Sequence, residues 1–250
     1  GGSPCQSFSN MGKRKGLEDT RGTLFYEYAR LVKEIQPKVF IYENVPGMLN
    51  HDKGNTWKVI KNVFESLGYE IYFKLLNASH YGIPQNRNRL YVVGFKTGVK
   101  KFVFPEGQEL SKTMFDFLED NVDKKYYFKF KGFRFVTSNK SRARVNQNVI
   151  RTQKANQQFN WNGDFVFVPV SKVTDKTIFE RAYVGKYEGI EGVARKLTPR
   201  ECLRLMGFSD KFKIVVPDVH MYRQSGNSIV VNVFENILNQ ILKTGVYEND

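Results

Sequence analysis

Val39-Phe40-Ile41-Tyr42-Glu43-Asn44-Val45 is a run of four apolar residues that ends in a carboxylate and an amide, two residues after Pro37. An apolar run this short, bounded by helix-breaking and polar residues, has the pattern of a buried strand. Upstream of it, Leu24, Tyr28, Leu31, Val32 and Ile35 fall at helical spacing and predict one apolar helix face that Pro37 closes. Downstream, Trp57, Ile60, Val63, Phe64 and Leu67 predict a second helix face, with Gly68 as its C-terminal stop. Tyr69–Leu76 and Leu90–Phe95 are two further strand patterns. Alternating strands and helices predict an α/β fold, a doubly wound parallel or mixed sheet with helices on its faces. Active sites in such sheets gather at the carboxyl ends of the strands, where Glu43 falls.

Beyond about Lys100 the texture changes to short aromatic and β-branched runs, Tyr126–Phe135 and Phe165–Val170, predicting a second, strand-rich domain. Thr198-Pro199 opens a helix over Arg200–Met206, with proline at the first helical position, and Ile229–Leu242 forms a final apolar-periodic helix. The 250 residues carry a net charge of +14, and the charge is unevenly spread. Between Lys124 and Gly163 there is no acidic residue, while Lys124, Lys125, Lys129, Lys131, Arg134, Lys140, Arg142, Arg144, Arg151 and Lys154 supply ten positive charges. Such a segment repels itself unless a polyanion is its partner, which points to nucleic acid. With two cysteines in the chain, a disulfide framework is excluded and a reducing cytoplasm is expected. No apolar run approaches membrane-spanning length. The sequence opens at Gly1 without Met or a signal peptide, so the expectation is that a tag or cut precedes Gly1 or that the chain is a fragment.

Four motifs carry chemistry. Pro4-Cys5-Gln6 lies in a small-residue loop, Glu43-Asn44-Val45 follows a strand, Gln85-Asn86-Arg87-Asn88-Arg89 precedes another and offers two arginines on one side of an extended segment, and Tyr222–Ser228 opens the final helix. Gly16-Leu17-Glu18-Asp19-Thr20-Arg21-Gly22-Thr23-Leu24-Phe25 lies among them, and Arg195–Cys202 with Met206-Gly207-Phe208 precedes the last. In this order and spacing the six segments resemble the bacterial DNA cytosine-5 methyltransferases of restriction–modification systems. The resemblance covers nearly the whole chain except its middle.

The resemblance implies a Rossmann-like methyltransferase domain over residues 1–118, completed by 219–250, and a target-recognition domain over 119–218. It implies that Cys5 attacks C6 of a cytosine flipped out of duplex DNA, that Glu43 donates a proton at N3, and that Arg89 and Arg87 hold the base. The methyl donor is then S-adenosylmethionine, with Pro4, Leu24, Phe208, Asn227 and Ser228 as its contacts here. The family's principal donor-binding elements come before the cysteine loop, so a preceding segment or a companion subunit is expected to supply them. Gln6, Lys13 and Arg14 in the loop after the cysteine, and Arg142, Arg144 and Arg151 in the acid-free stretch, are the candidate DNA contacts. Cys202 is expected to be packed on its helix. His51, His80 and His220 lack ligand spacing, so no metal site is assigned. The rival expectations are a tRNA cytosine-5 methyltransferase and a DNA-binding chain without catalysis.

Overall fold

The computed structural model describes residues 1–2, 23–96, 102–138, 142–156, 158 and 163–248. Two compact units emerge: residues 1–77, 88–106 and 235–250 form the first, and residues 78–87 and 107–234 the second. No helix among the described residues is long and apolar enough to cross a membrane.

The first unit is built on α1 (Thr23–Ile35), β1 (Val39–Asn44), α2 (Asn55–Ser66), β2 (Glu70–Asn77) and β4 (Asn88–Phe95), with β3 (Gln85–Asn86) intervening in sequence but belonging to the second unit. Its sheet has the order β1-β4-β2. β4 runs antiparallel to both neighbours, so the strand directions are mixed. The two helices pack against Phe40, Tyr42, Leu90 and Val92, while Tyr91, Val93 and Phe95 are buried as well. β4 is thus apolar on both faces, as a central strand must be. Gly94 lies opposite Phe40 in this ladder, and a Cβ there would stand 2.2 Å from the Phe40 ring.

α2 buries Trp57, Ile60 and Phe64 and ends before Gly68 at φ +85°, as its pattern predicts. α1 departs from expectation. It buries Phe25, Ala29 and Val32, whereas Leu24, Leu31 and Ile35 are 45%, 45% and 69% exposed. Apolar residues occupy more than one arc of this helix, and the aromatic arc wins the core. Phe25 stacks edge-on against Phe64 and Tyr42, and Tyr28 meets Tyr42 at 5.3 Å.

The second unit holds a four-stranded sheet of order β5-β7-β9-β8, made of β5 (Arg144–Val145), β7 (Asp164–Pro169), β8 (Gly185–Tyr187) and β9 (Ile190–Arg195). β3 pairs in parallel with β6 (Ile150–Arg151) as a separate ribbon. The expected strand over Tyr126–Phe135 is a correction: Phe130–Val136 is a helix, α3, preceded by a single turn at Lys124–Tyr126. Its aromatic residues favour strands locally, but Phe133 and Val136, three apart, bury together against Phe165, Phe167 and Ala194. Packing decides where local preference is weak. A second correction concerns the end of the chain. Tyr222–Asn227 closes a separate helix, α5 (Asp218–Asn227), and the final helix α6 begins only at Val231.

α4 (Pro199–Arg204) begins where Thr198-Pro199 predicts. Thr198 Oγ1 accepts from the Glu201 amide, and the Glu201 carboxylate accepts from the Thr198 amide, a closed capping box. Cys202 on this helix is buried, as expected, and burial pushes its thiol well above the usual range.

Candidate active site

In the first unit the candidate centre lies at the carboxyl end of β1. Asn44 turns the chain there: its amide donates to the Tyr42 hydroxyl at 3.0 Å, and its Oδ1 accepts from the Val45 amide at 2.8 Å. Glu43, one residue earlier, points its carboxylate at Arg89, with Nε and Oε1 2.9 Å apart. Neighbouring β4 delivers that arginine, since Glu43 pairs with Tyr91 in the ladder, two residues beyond Arg89. Both side chains are partly shielded, at 23% and 16% exposure. The pair holds the Glu43 carboxyl oriented, yet leaves it within reach of a substrate.

Gly1 and Gly2 lie along the backbone at the end of β1. The Gly1 amino nitrogen donates to the Ile41 carbonyl at 2.7 Å, and the Glu43 amide donates to the Gly1 carbonyl at 2.8 Å. A Cβ at Gly2 would stand 2.6 Å from the Glu43 carbonyl oxygen, so only glycine passes this close. Pro4, Cys5, Gln6, Lys13 and Arg14 lie outside the described residues. Leu24, in the first turn of α1, presents an exposed side chain.

The second unit contains the other half of the Gln85–Arg89 motif, which does not place its two arginines alike. Arg87 is 4% exposed. Its guanidinium donates to the carbonyls of Gln153 at 2.9 Å, Gly226 at 3.3 Å and Ser228 at 2.7 Å. Gln85, fully buried, donates to the Leu205 carbonyl and accepts from the Gln153 amide. The Thr152 hydroxyl donates to the Asn86 carbonyl. Gln85-Asn86-Arg87 is therefore a clamp. It fastens the β6 segment, the turn after α4 and the end of α5 to one short stretch of backbone. The expectation that Arg87 and Arg89 share a side of one extended segment is corrected: only Arg89 meets Glu43.

The remaining predicted donor contacts in this unit lie at chain turns. Phe208 follows the α4 turn, half-buried and edge-on to Phe212 at 5.0 Å. Asn227 ends α5 exposed, and the half-buried Ser228 gives its carbonyl to Arg87 and its hydroxyl proton to the Ile229 carbonyl.

Of the basic candidates, Arg142 and Arg144 are exposed. Arg151 is turned back on the fold and donates to the carbonyls of Arg142 at 2.8 Å and Gly163 at 3.0 Å. Asp164, which is buried, lies beneath it, with Oδ2 accepting from the Arg151 amide at 3.2 Å. Burial pushes the Asp164 carboxyl up to about 6, against the pull of Arg151 and Arg144. Sequence reading passed over Asp164, because nothing in its neighbours announces what it holds, and it named Gln85 in a motif without foreseeing its role as a support.

A further buried pair organises the segment before α4. Arg195 donates through both terminal nitrogens to the Glu201 carboxylate at 2.8 Å, and Glu201 also accepts from the Glu119 amide at 2.9 Å.

The family described as C-5 cytosine-specific DNA methylase matches residues 1–243. The type II methyltransferase M.SsoII of Shigella sonnei is 39% identical over 98% of the chain, and M.HhaI of Haemophilus parahaemolyticus is 36% identical over 94%. The chain spans 63% and 72% of the length of these two relatives. Among solved structures, the Entamoeba histolytica methyltransferase EhMeth superposes with a TM-score of 0.73 at 21% identity, covering 97% of this chain and 76% of that one. The S. pombe Dnmt2 methyltransferase gives 0.70, also at 21% identity, covering 97% and 77%. At that identity the likeness speaks for the fold, a Rossmann-like α/β methyltransferase. With its six motifs in register and its family match nearly end to end, the chain belongs to the C-5 cytosine-specific DNA methylases.

Proposed function

We propose that the chain carries the catalytic and target-recognition machinery of a DNA (cytosine-5-)-methyltransferase acting on duplex DNA. The observation that carries this reading is the Glu43–Arg89 pair at the end of β1, with Gly1-Gly2 lying along the backbone there and Cys5 three residues further along the chain. Cytosine C5 is a poor nucleophile until a thiolate has added at C6. In the proposed sequence Cys5 Sγ bonds to C6 while Glu43 delivers a proton at N3, so the ring takes up the electron pair. Arg89 keeps Glu43 aimed and faces the base's O2. C5 then accepts the methyl group, and a water-borne base takes the C5 proton. That electron pair re-forms the C5–C6 double bond as the C6–S bond breaks to release the Cys5 thiolate, and N3 returns its proton to Glu43.

S-adenosylmethionine supplies that methyl as an electrophilic sulfonium substituent. The residues present fit it in part: Phe208 offers a half-buried aromatic surface, Asn227 an exposed amide and Leu24 an exposed apolar side chain. None of these is an acidic partner for a ribose. We therefore infer that further polypeptide, contiguous or separate, completes donor binding. The exposed Leu24, Leu31 and Ile35 of α1 fit such a covering segment. For the target-recognition part, the proposed bounds are residues 119–218, with 1–118 and 219–250 catalytic.

Transfer of a labelled methyl group to duplex DNA by the chain joined to the polypeptide that completes donor binding, with tRNA as the comparison substrate, tests the reading. Cys5→Ala should abolish transfer. Glu43→Gln should slow it by about 10²–10⁴-fold, the usual reach of a positioned acid. Because the Glu43–Arg89 pair is partly exposed, the Gln variant should lose no more than about 1 kcal/mol of stability. A 5-fluorocytosine target should trap the parent protein in a denaturant-resistant adduct and leave Cys5→Ala free. Methylation of tRNA alone, or an adduct with Cys5→Ala, would overturn the assignment.

A further inference from the structure

Lys129, Lys131, Arg181 and Lys196 come from three stretches of the second unit and line one open cleft of about 270 Å³. Backbone hydrogen bonds hold those stretches together. The Lys196 amide donates to the Tyr126 carbonyl at 3.1 Å, the Phe128 amide to the Ala194 carbonyl at 2.9 Å, and the Tyr183 amide to the Phe128 carbonyl at 2.9 Å. Lys129 and Lys131 follow at the start of α3, and Arg181 lies two residues before Tyr183. Among the described residues no carboxylate lines the cleft. A fifth cation there, Lys125, is taken by Asp218 at 3.0 Å. Lys129, Lys131 and Arg181 are exposed, and among the described residues no acidic side chain pairs with them. Lys196 is half-buried, and burial, then the charge of Arg181, push its pKa down. The fold thus gathers like charges at a cost that an anion in the cleft would remove.

The register of the sheet sets this cleft at the same end as the candidate DNA contacts. Arg144 pairs with Asp164 where β5 and β7 begin. β9 runs the opposite way and ends with Arg195 opposite Val166 of β7. Lys196 is the next residue, so Arg144 and Lys196 mark one end of the same sheet. We propose that the cleft is a phosphate site, which grips the backbone of duplex DNA beside the part that Arg142 and Arg144 contact. The proposal rests on the reading of the chain as a DNA-acting enzyme. A phosphodiester presents charged oxygens that Arg181 meets with a planar fork and the lysines meet as point charges. Contacts of this kind carry no base information, so they fix where the duplex lies whatever its sequence.

Fluorescence anisotropy on duplex DNA across a salt series tests it, with the chain joined to the polypeptide that completes donor binding. The cleft variant Lys129→Ala/Lys131→Ala/Arg181→Ala should bind more weakly than the parent. Its plot of log K against log salt should flatten by about 0.9–1.8, the loss of one or two phosphate contacts. Lys172→Ala/Lys176→Ala/Lys211→Ala removes the same charge from exposed lysines outside the cleft and should keep the parent's slope. The replaced side chains are exposed, so circular dichroism of both variants should match the parent. In methyl transfer the cleft variant should keep kcat and raise KM for DNA, a split that a damaged fold would not give. A parent that binds DNA while the cleft variant keeps its slope and affinity would overturn this proposal alone. Equal flattening in the two variants would overturn it as well, by making net charge the cause. A parent that does not bind duplex DNA would overturn the reading beneath it, and the cleft with it.

Discussion

Asp164 begins β7 as a buried carboxyl beside the Arg151 amide, and desolvation outweighs the neighbouring cations in setting its protonation. Its value rises from 3.8 to about 6, so the folded chain holds a proton that the unfolded chain has released. Folding then takes up a proton between those values. The contribution of this group to stability is fully present below about pH 4 and is lost as pH rises through about 6. By the pKa difference it amounts to no more than about 3 kcal/mol. Asp164→Asn keeps an acceptor for the Arg151 amide and removes the titration. In urea denaturation from pH 4 to 8, the parent should lose stability relative to the Asn variant as pH rises. Parallel pH profiles for the two proteins would show that Asp164 is ionised in the fold.

At the level of elements, the Gln85–Arg89 motif divides its work between two neighbouring arginines. Arg87 satisfies three carbonyls from the β6 segment and the end of α5, whereas Arg89 is held by a carboxylate near the surface. Arg87→Met leaves those carbonyls without their donor in a buried setting, at a cost of about 2–4 kcal/mol. Arg89→Met breaks a partly exposed pair and should cost about 1 kcal/mol or less. The expected pattern is a large fall in melting temperature for Arg87→Met. Arg89→Met should instead retain its fold and lose methyl transfer. Equal thermal stability of the two variants would contradict the clamp. A similar contrast holds at α4. Arg195→Met strands the buried Glu201 carboxylate, and losses of about 3–5 kcal/mol are usual when one partner of a buried ion pair is removed.

For the molecule as a whole, the +14 net charge suits a polyanion, but its arginines do not act alike. Arg142 and Arg144 are exposed, while Arg151 is committed to the carbonyls of Arg142 and Gly163. Replacing Arg142 and Arg144 together by Ala should flatten the dependence of log K on log salt by roughly 1.8, about 0.9 for each phosphate that is no longer neutralised. Arg151→Ala should lower thermal stability more than it alters that slope. Fluorescence anisotropy on duplex DNA across a salt series checks both. An unchanged slope for the double variant would leave those arginines as solvated surface.

Local chemistry was enough to place much of this protein. The Val39–Tyr42 run, the Gly68 stop and the Thr198-Pro199 start each depend on a few adjacent residues, and each appears in the fold where the sequence puts it. Glu43 at the end of a strand was legible for the same reason, and so was the family, whose motifs are contiguous. Tertiary contacts decided what contiguous residues leave open. Apolar residues on more than one arc of α1 could not reveal that Phe25 and Ala29 would join the core while Leu24, Leu31 and Ile35 would not. The aromatic run after Lys124 fits a strand until Phe133 and Val136 are offered a sheet to pack on. Arg87 and Arg89 look equivalent two residues apart. One becomes a clamp and the other a partner of Glu43 because the carbonyls and the carboxylate that claim them come from distant parts of the chain.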